Sequence, residues 1–267
     1  MRTLDAAACT ALLEPLTAVG VSAAQAILQA GAGGVRRKAD GSPVTAADEI
    51  ADSMIRDALA RLAPGVLIVS EEHAEREKPK IPAGKDASYF LVDPLDGTRE
   101  FITGSDEYTV NIAVVTGGVP SFGVIVAPAM GQVWRGIAGH GAERLEIAGG
   151  KISAPSKIHT RPRPTDQLVV MVSRSHLEPR TRAYLENFPR AKLVQCGSSV
   201  KFCRLAEGAA DLYPRLSPTR DWDVAAGHAI LTAAGGHVAS PGRSPLAYGG
   251  ADLLIPGFIA SGELATA

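Results

Sequence analysis

Apolar residues recur at helical spacing between residues 46 and 62. The apolar positions are Ile50, Met54, Ile55, Ala58, Leu59 and Leu62, and a Pro-Gly pair follows at residues 64–65. Spacing of this kind indicates a single buried helix face, and proline and glycine are common helix stops. The pattern therefore predicts an amphipathic helix over residues 46–62.

Short apolar runs separated by glycine and proline then follow in series, which is typical of strands in a sheet. The runs cover residues 66–69, 89–92, 110–115, 122–126 and 132–137. In the second half, apolar runs alternate with helix-like segments, which favours α/β layering. Strands are predicted at 168–172, near Leu193 and at 210–216, and helices at 180–187, 199–207 and 223–236.

The segment between the two halves, residues 149–166, is rich in Pro, Ser and Gly and shows little periodicity. Such composition is typical of a connection between structural units. We predict a fold of the α/β (α+β) class with two lobes. Residues 1–155 would form an N-terminal α+β lobe and residues 156–267 a C-terminal α/β lobe.

Charge and cysteine content limit the classes of partner. The chain has 27 Lys and Arg against 28 Asp and Glu, so no overall field favours nucleic acid or an anionic membrane surface. The three cysteines show no Cys-x-x-Cys spacing, so a disulfide framework or a structural zinc site is not expected. Asp5, Glu14 and Pro15 interrupt the apolar N-terminal segment, which indicates neither an export signal nor a membrane span. We expect a cytoplasmic protein, either free or peripheral on the inner face of the membrane.

The stretch DPLDGT, residues 93–98, places two carboxylates directly after an apolar run. Asp93 and Asp96 repel each other unless a cation lies between them, and the carbonyl of Leu95 could add a third oxygen for Mg²⁺. Gly97 and Thr98 offer backbone N–H groups and a hydroxyl to a phosphate. The alternative is an ordinary turn, since Asp-Pro and Asp-Gly are common turn dipeptides.

Further carboxylates occupy similar positions elsewhere. Glu71 follows the run at 66–69, where the alternative is a solvated acidic loop. Asp223 precedes an apolar helix and Asp48 follows Thr45, and in both places the residues could instead be helix caps or partners of the helix dipole.

Several of these motifs together resemble the inositol monophosphatase superfamily, and within it the 3'(2'),5'-bisphosphate nucleotidase branch. They are, in chain order, KADGSPVTAADEIAD, VSEE, LVDPLDGTREFI, YTVNIAVV, SRSH, GSSVKFCRLAEG and YPRLSPTRDWDVAAGHAIL. The resemblance extends from about residue 36 to the PGF near the C-terminus. It implies a layered αβαβα sugar-phosphatase fold with the site between two lobes.

The resemblance also assigns roles to individual residues. Two or three Mg²⁺ ions would be held by Glu71, Asp93, the carbonyl of Leu95, Asp96 and Asp223. The residues implied in catalysis are Asp48, Thr98 and Glu71, with Thr98, oriented by Asp48, acting on the attacking water. The residues implied in substrate binding are Gly97, Thr98, Ser173, His176, Gly197, Lys201 and Asp223.

The implied activity is Mg²⁺-dependent, lithium-sensitive removal of the 3'-phosphate from 3'-phosphoadenosine 5'-phosphate. The alternatives are turnover of inositol monophosphate or fructose 1,6-bisphosphate on the same metal residues, and a silent phosphate-binding protein on the same fold. A small-molecule substrate, no nucleic acid and no membrane span are expected, and the oligomeric state is left open.

Overall fold

The computed structural model describes residues 3–38, 41–174 and 177–262, with the side chain of Glu75 excepted. Its helices are α1 (Ala6–Ala30), α2 (Ala46–Leu62), α3 (Glu71–Glu77), α4 (Thr98–Ile102), α5 (Pro179–Leu185), α6 (Val200–Ala206) and α7 (Asp221–Ala233). The predicted helix at 46–62 coincides with α2, and those at 180–187, 199–207 and 223–236 correspond to α5, α6 and α7.

The strands of the first half include the five predicted apolar runs. They are β1 (Arg36–Arg37), β2 (Pro43–Val44), β3 (Leu67–Ser70), β4 (Ser88–Asp96), β5 (Thr109–Thr116), β6 (Val119–Ala127), β7 (Gln132–Ile137), β8 (Gly141–Ala148), β9 (Lys151–Ile152) and β10 (Ser156–Ile158). Those of the second half are β11 (Val169–Ser173), β12 (Lys192–Cys196), β13 (Leu212–Arg215), β14 (Thr219–Arg220), β15 (His237–Ala239), β16 (Leu254–Ile255) and β17 (Phe258–Ser261).

The first sheet has the strand order β10-β8-β7-β6-β5-β4-β3. The β3 and β4 strands run parallel and the other neighbours in this order are antiparallel. In the β4–β5 pair, Asp93 lies opposite Asn111 and Asp96 opposite Thr109, with a register irregularity between the two pairs. Here β4 has one residue more than β5 between the two pairs, within the DPLDGT stretch. An extra residue of this kind changes the direction of the neighbouring side chains.

The second sheet has the order β12-β11-β13-β17-β15. Its β11 strand is parallel to β12 and β13, so their carboxyl ends lie at one edge. Functional groups collect at such an edge in α/β sheets. Ser173 ends β11 and residues 197–201 follow β12, so both lie at this edge.

The helices separate the two sheets into five layers. The α1 and α2 helices cover one face of the first sheet, α6 and α7 lie between the sheets, and α5 packs on the outer side of the second. This is the αβαβα arrangement that the resemblance implied. The α7 helix is apolar on most of its surface because it is buried from both sides. The three cysteines are buried free thiols in these cores.

Helix α7 approaches the first sheet at glycine positions. A Cβ atom at Gly123 of β6 would lie 2.3 Å from the carbonyl oxygen of Ala226, and one at Gly227 would lie 2.4 Å from the Phe202 ring. Any larger residue would push α7 away from the sheet and from α6. The helix that carries Asp223 is therefore held by close backbone packing against the sheet that carries Asp93.

Helix α1 is long and apolar enough, by length and composition, to cross a membrane, and no other helix in the described ranges is. Its residues Leu12, Leu16 and Ile27 are buried in the core beneath the first sheet. A core helix of this kind meets the same criteria as a membrane span.

The segment 149–166 contains more regular structure than its composition predicts. It includes β9 and β10, which both pair with β8 of the first sheet. Short edge strands need few apolar residues, which is why the pattern does not reveal them. The lobe boundary at 155/156 stays a prediction, although the pairing attaches residues 156–158 to the first sheet.

Candidate active site and metal centre

Carboxylates from three separate elements meet between the lobes. Glu71 is the first residue of α3, Asp93 lies near the end of β4 and Asp223 lies in the first turn of α7. One oxygen from each can be chosen so that all three atoms lie within 4.8 Å of one another. A cation at their centre would be within reach of all three.

Burial and mutual repulsion make these carboxylates hard to ionise together. Burial, opposed by Lys38 and aided by the charges of Asp223 and Glu72, raises the pKa of Glu71 to about 7. The pKa of Asp93 lies well above its usual range, through burial and then through repulsion from Glu71 and Asp96. Three such groups gain by sharing a cation.

Lys38 supplies a positive charge at one side of the cluster. Its Nζ lies 2.6 Å from an oxygen of Glu71 and 2.8 Å from one of Glu72. The ammonium is partly buried, and its neighbouring carboxylates raise its pKa although burial alone would lower it. Lys38 thus offsets part of the repulsion at Glu71.

Asp96 stands beside the cluster and is fixed by polar groups from both lobes. The hydroxyl of Ser199 donates to its Oδ2 at 2.7 Å, and the amide nitrogen of Asn111 lies 3.4 Å from the same oxygen. Asn111 also donates to Ser199 at 2.9 Å. Burial, followed by repulsion from Asp223, raises the pKa of Asp96.

Thr98 and Asp48 form a hydroxyl–carboxylate pair across the site. The Thr98 Oγ1 lies 3.2 Å from Asp48 Oδ1 and 3.2 Å from the carbonyl oxygen of Leu95. The other oxygen of Asp48 accepts hydrogen bonds from the backbone N–H and the hydroxyl of Thr45, at 2.8 and 2.6 Å. Asp48 is buried, which raises its pKa. One carboxylate thus caps α2 and accepts a hydrogen bond from Thr98, and its catalytic role stays a prediction.

The Gly97 turn, residues 97–98, needs glycine. Gly97 has φ +91°, and a Cβ there would lie 3.2 Å from the carbonyl oxygen of Glu107 and 3.3 Å from the Cβ of Ser198. The turn opens the short helix α4, and its conformation keeps the Thr98 hydroxyl facing Asp48.

A cavity of about 240 Å³ connects these groups with the second lobe. Ser173 and Lys201 border it, as does Arg215, whose Nε is buried and has no hydrogen-bond partner among the residues that the structure describes. Lys201 is only 3% exposed, and its Nζ donates to the carbonyls of Cys196 and Ser198. A solvated helix lysine, the alternative to a substrate contact, is therefore wrong.

Gly197 does not border the cavity, and its N–H donates to a carboxylate oxygen of Glu107 at 2.7 Å. His176, the remaining predicted substrate residue, lies outside the described residues. The substrate roles of Ser173, His176, Gly197, Lys201 and Asp223 stay predictions.

Three residues that contact the site were not singled out from the sequence. Lys38, Asn111 and Ser199 each bond to a carboxylate of the site. Asn111 could have been noticed, because it is the one polar residue in the run 110–115. Ser199 and Lys38 carry no local signal, since serine and lysine are ordinary in loops.

The donor set fits a hard divalent cation. It consists of carboxylate oxygens from Glu71, Asp93 and Asp223 with the carbonyl of Leu95 and the carboxylate of Asp96 close by. Oxygen donors of this kind bind Mg²⁺, Mn²⁺ or Ca²⁺ and not the metals that prefer sulfur or imidazole.

Fold and site together define the class of metal-dependent phosphatases. The chain belongs to the inositol monophosphatase family, whose model matches residues 10–266. It is 42% identical over 228 residues to the 3'(2'),5'-bisphosphate nucleotidase CysQ of Escherichia coli K12, covering 83% of this chain and 86% of that protein. The CysQ of E. coli O157:H7 is 40% identical over 258 residues, covering 92% of this chain and 98% of the relative.

Solved structures agree with this assignment. The CysQ of Bacteroides thetaiotaomicron superposes with a TM-score of 0.78 at 34% identity and covers 96% of this chain and 98% of its own. The inositol monophosphatase of Anabaena superposes with a TM-score of 0.73 at 22% identity, covering 95% and 91%. The second comparison establishes the shared fold alone.

Proposed function

We propose that the protein hydrolyses the 3'-phosphate of 3'-phosphoadenosine 5'-phosphate, using one water to give AMP and inorganic phosphate. The observation that carries this proposal is the similarity to CysQ nucleotidases along nearly the whole of both chains. The similarity includes the second lobe. That lobe matters because the alternative substrates, inositol monophosphate and fructose 1,6-bisphosphate, would use the same carboxylates and would differ only in their contacts with the second lobe.

Two cations of the second lobe support a substrate with two phosphates. Lys201 and Arg215 border the cavity, and both interact electrostatically with Asp96. One phosphate beside the carboxylates would leave these cations facing the rest of the substrate. A fixed ammonium and a guanidinium suit a second phosphate.

The residues of the first lobe would act on water and on the reacting phosphate. The Thr98 hydroxyl donates to Asp48 and can accept a hydrogen bond from the attacking water. As water gives its proton to the Thr98 oxygen, the hydroxyl proton of Thr98 can move to the Asp48 carboxylate. The raised pKa of Asp48 brings the carboxylate closer to the pH at which it can take a proton. Backbone N–H groups of the Gly97 turn would bind phosphate oxygens.

We infer that Mg²⁺ is the cation, with two or three ions held by Glu71, Asp93, Asp96, Asp223 and the carbonyl of Leu95. When bound, such ions neutralise the phosphoryl oxygens and make water more acidic. The absence of histidine and cysteine from the donor set favours Mg²⁺ over zinc.

Phosphate release by the purified protein in Mg²⁺ tests the function. We expect a strong preference for 3'-phosphoadenosine 5'-phosphate over inositol 1-phosphate and fructose 1,6-bisphosphate at equal low concentration. The Lys201→Met variant keeps the side-chain length and should raise KM for the bisphosphate more than for 3'-AMP. Preference for a sugar phosphate would keep the chemistry and replace the substrate, and no release from any of the three would indicate a silent protein.

Stabilisation by Mg²⁺ should depend on pH, because protons compete with the cation for the cluster. At pH 6 much of Glu71 is protonated, given a pKa of about 7, whereas at pH 8 most of it is ionised and can bind a cation. In the metal-free protein, the pKa of Glu71 is about 7 in the folded state and 4.5 ordinarily. The folded protein therefore loses stability as pH rises from about 4.5 through 7, because Glu71 must give up its proton among other carboxylates. Mg²⁺ should therefore raise Tm more at pH 8 than at pH 6.

Differential scanning fluorimetry with Mg²⁺ or with a chelator, at both pH values, measures this. In the Glu71→Gln variant, the Tm shift produced by Mg²⁺ should differ less between pH 6 and pH 8. Equal Tm shifts at pH 6 and pH 8 in the unaltered protein would contradict a cation seated among these carboxylates.

A further inference from the structure

Glu107 lies between two turns that face each other across the lobes. One is the Gly97 turn of the first lobe, and the other is the turn of residues 197–199 that follows β12, here called the Gly197 turn. The Glu107 Oε2 accepts the N–H of Gly197 at 2.7 Å. The same oxygen accepts hydrogen bonds from Nε and Nη2 of Arg174, at 3.1 and 2.7 Å.

The backbone of Glu107 also packs against both turns. A Cβ atom at Gly197 would lie 2.6 Å from the Glu107 carbonyl oxygen, and one at Gly97 would lie 3.2 Å from the same atom. The approach at Gly197 leaves no room for a side chain, and the approach at Gly97 would make even a Cβ atom a tight contact. Glu107 contacts the two turns simultaneously through its backbone, and it holds the second through its carboxylate.

The Gly197 turn needs such support because it contains a strained residue. Ser198 has φ +41°, a left-handed conformation that serine rarely adopts. Ser198 and Ser199 both border the cavity, and the carbonyl of Ser198 accepts a hydrogen bond from Lys201. The turn is thus tied to Glu107 at its first residue and to Lys201 at its second.

We propose that Glu107 is a positioning residue for substrate binding: its carboxylate holds the Gly197 turn in the conformation that shapes the second-lobe wall of the cavity. The substrate part of this inference rests on the proposed function. Glu107 does not itself border the cavity among the described residues, so it acts through Gly197, Ser198 and Lys201.

The consequence is a separation of binding from turnover. Without the carboxylate, the Gly197 turn can relax from its strained conformation, and substrate must restore the ordered turn when it binds. Thr98, Asp48 and the cluster of Glu71, Asp93 and Asp223 are held by contacts other than Glu107. Ser199, the last residue of the turn, keeps its own hydrogen bonds to Asp96 and to the carbonyl of Asp223. Affinity should therefore fall while the rate at saturation is kept.

The Glu107→Gln variant tests this, since it removes the charge and preserves the shape. We expect KM for 3'-phosphoadenosine 5'-phosphate to rise about tenfold with kcat within about twofold of the unaltered protein. Hydrogen exchange of the backbone amides at 197–201 should become faster. The matched control is Glu146→Gln on β8, which also removes a carboxylate–arginine pair, an exposed one at 2.8 Å, and should leave both readouts unchanged.

The exchange readout does not depend on substrate, so the two proposals fail separately. If the unaltered protein does not hydrolyse the bisphosphate but the variant speeds exchange at 197–201, the function is wrong and the positioning role stands. Unchanged exchange and unchanged KM would overturn the positioning role, as would a fall in kcat alone. If Glu107→Gln does not fold, Glu107→Asp replaces it, because its shorter side chain cannot reach Gly197. The same changes in KM and exchange are expected of it, and the same results would overturn the positioning role.

Discussion

The Asp93→Asn variant is expected to lose turnover by a factor on the order of 10³ or more while its metal-free form becomes more stable at pH 8. Asp93 is 1% exposed and lies among carboxylates that hold its pKa well above the usual range. Removing its charge relieves repulsion with Glu71 and Asp96, so the chelated protein should gain in Tm. Removing a carboxylate oxygen from the cluster weakens cation binding, so the Tm shift produced by Mg²⁺ should shrink.

The opposite signs of these effects distinguish a metal ligand from a structural aspartate. Loss of a structural carboxylate would lower Tm with and without Mg²⁺. The control is Asp57→Asn, an exposed aspartate on α2, which should change neither turnover nor the Mg²⁺ effect. Turnover close to that of the unaltered protein, or a metal-free Tm that falls, would rule out the assignment of Asp93.

The Thr98→Ala variant is expected to lower kcat by about 10²- to 10⁴-fold without reducing the stabilisation by Mg²⁺. The Thr98 hydroxyl is the group of this turn that lies within 3.2 Å of Asp48 Oδ1. Its loss breaks the path by which a proton from water reaches that carboxylate. The three clustered carboxylates are untouched, so cation binding should persist.

Thr98→Ser separates the hydroxyl from the methyl group and should recover most of the lost kcat. Steady-state kinetics on the three proteins, with Tm measured in Mg²⁺ and in chelator, decides the role. A fall in the Mg²⁺ effect for Thr98→Ala would place Thr98 among the metal-binding groups instead. Full activity of Thr98→Ala would refute a role in activating water.

Local pattern was sufficient for helices α2, α5, α6 and α7 and for the strands β3 to β7 and β11 to β13. The apolar face and the Pro-Gly stop predicted α2 correctly, because a helix that packs on one side of a sheet needs one apolar face. The strand at 132–137 was predicted to the residue for a similar reason. The two edge strands β9 and β10 were missed, since their partners lie on one side only and their side chains are mostly exposed.

Residue type and spacing also pointed to the carboxylates, but their roles needed the structure. Asp48 was left open between a helix partner and a catalytic group, and its two oxygens serve one purpose each. Arg215 borders the cavity with its Nε buried, and nothing in the local sequence indicates that burial. Burial and orientation of this kind are set by distant elements.

The sequence by itself indicated the α/β class, many of the elements and the carboxylates available to a cation, because periodicity, turn residues and donor chemistry are local properties. Only the tertiary structure decided which groups meet. Glu71, Asp93 and Asp223 come from α3, β4 and α7, and their approach depends on α7 packing closely on the first sheet. The bonds of Lys38, Ser199 and Glu107 likewise join distant segments, and no spacing along the chain encodes them.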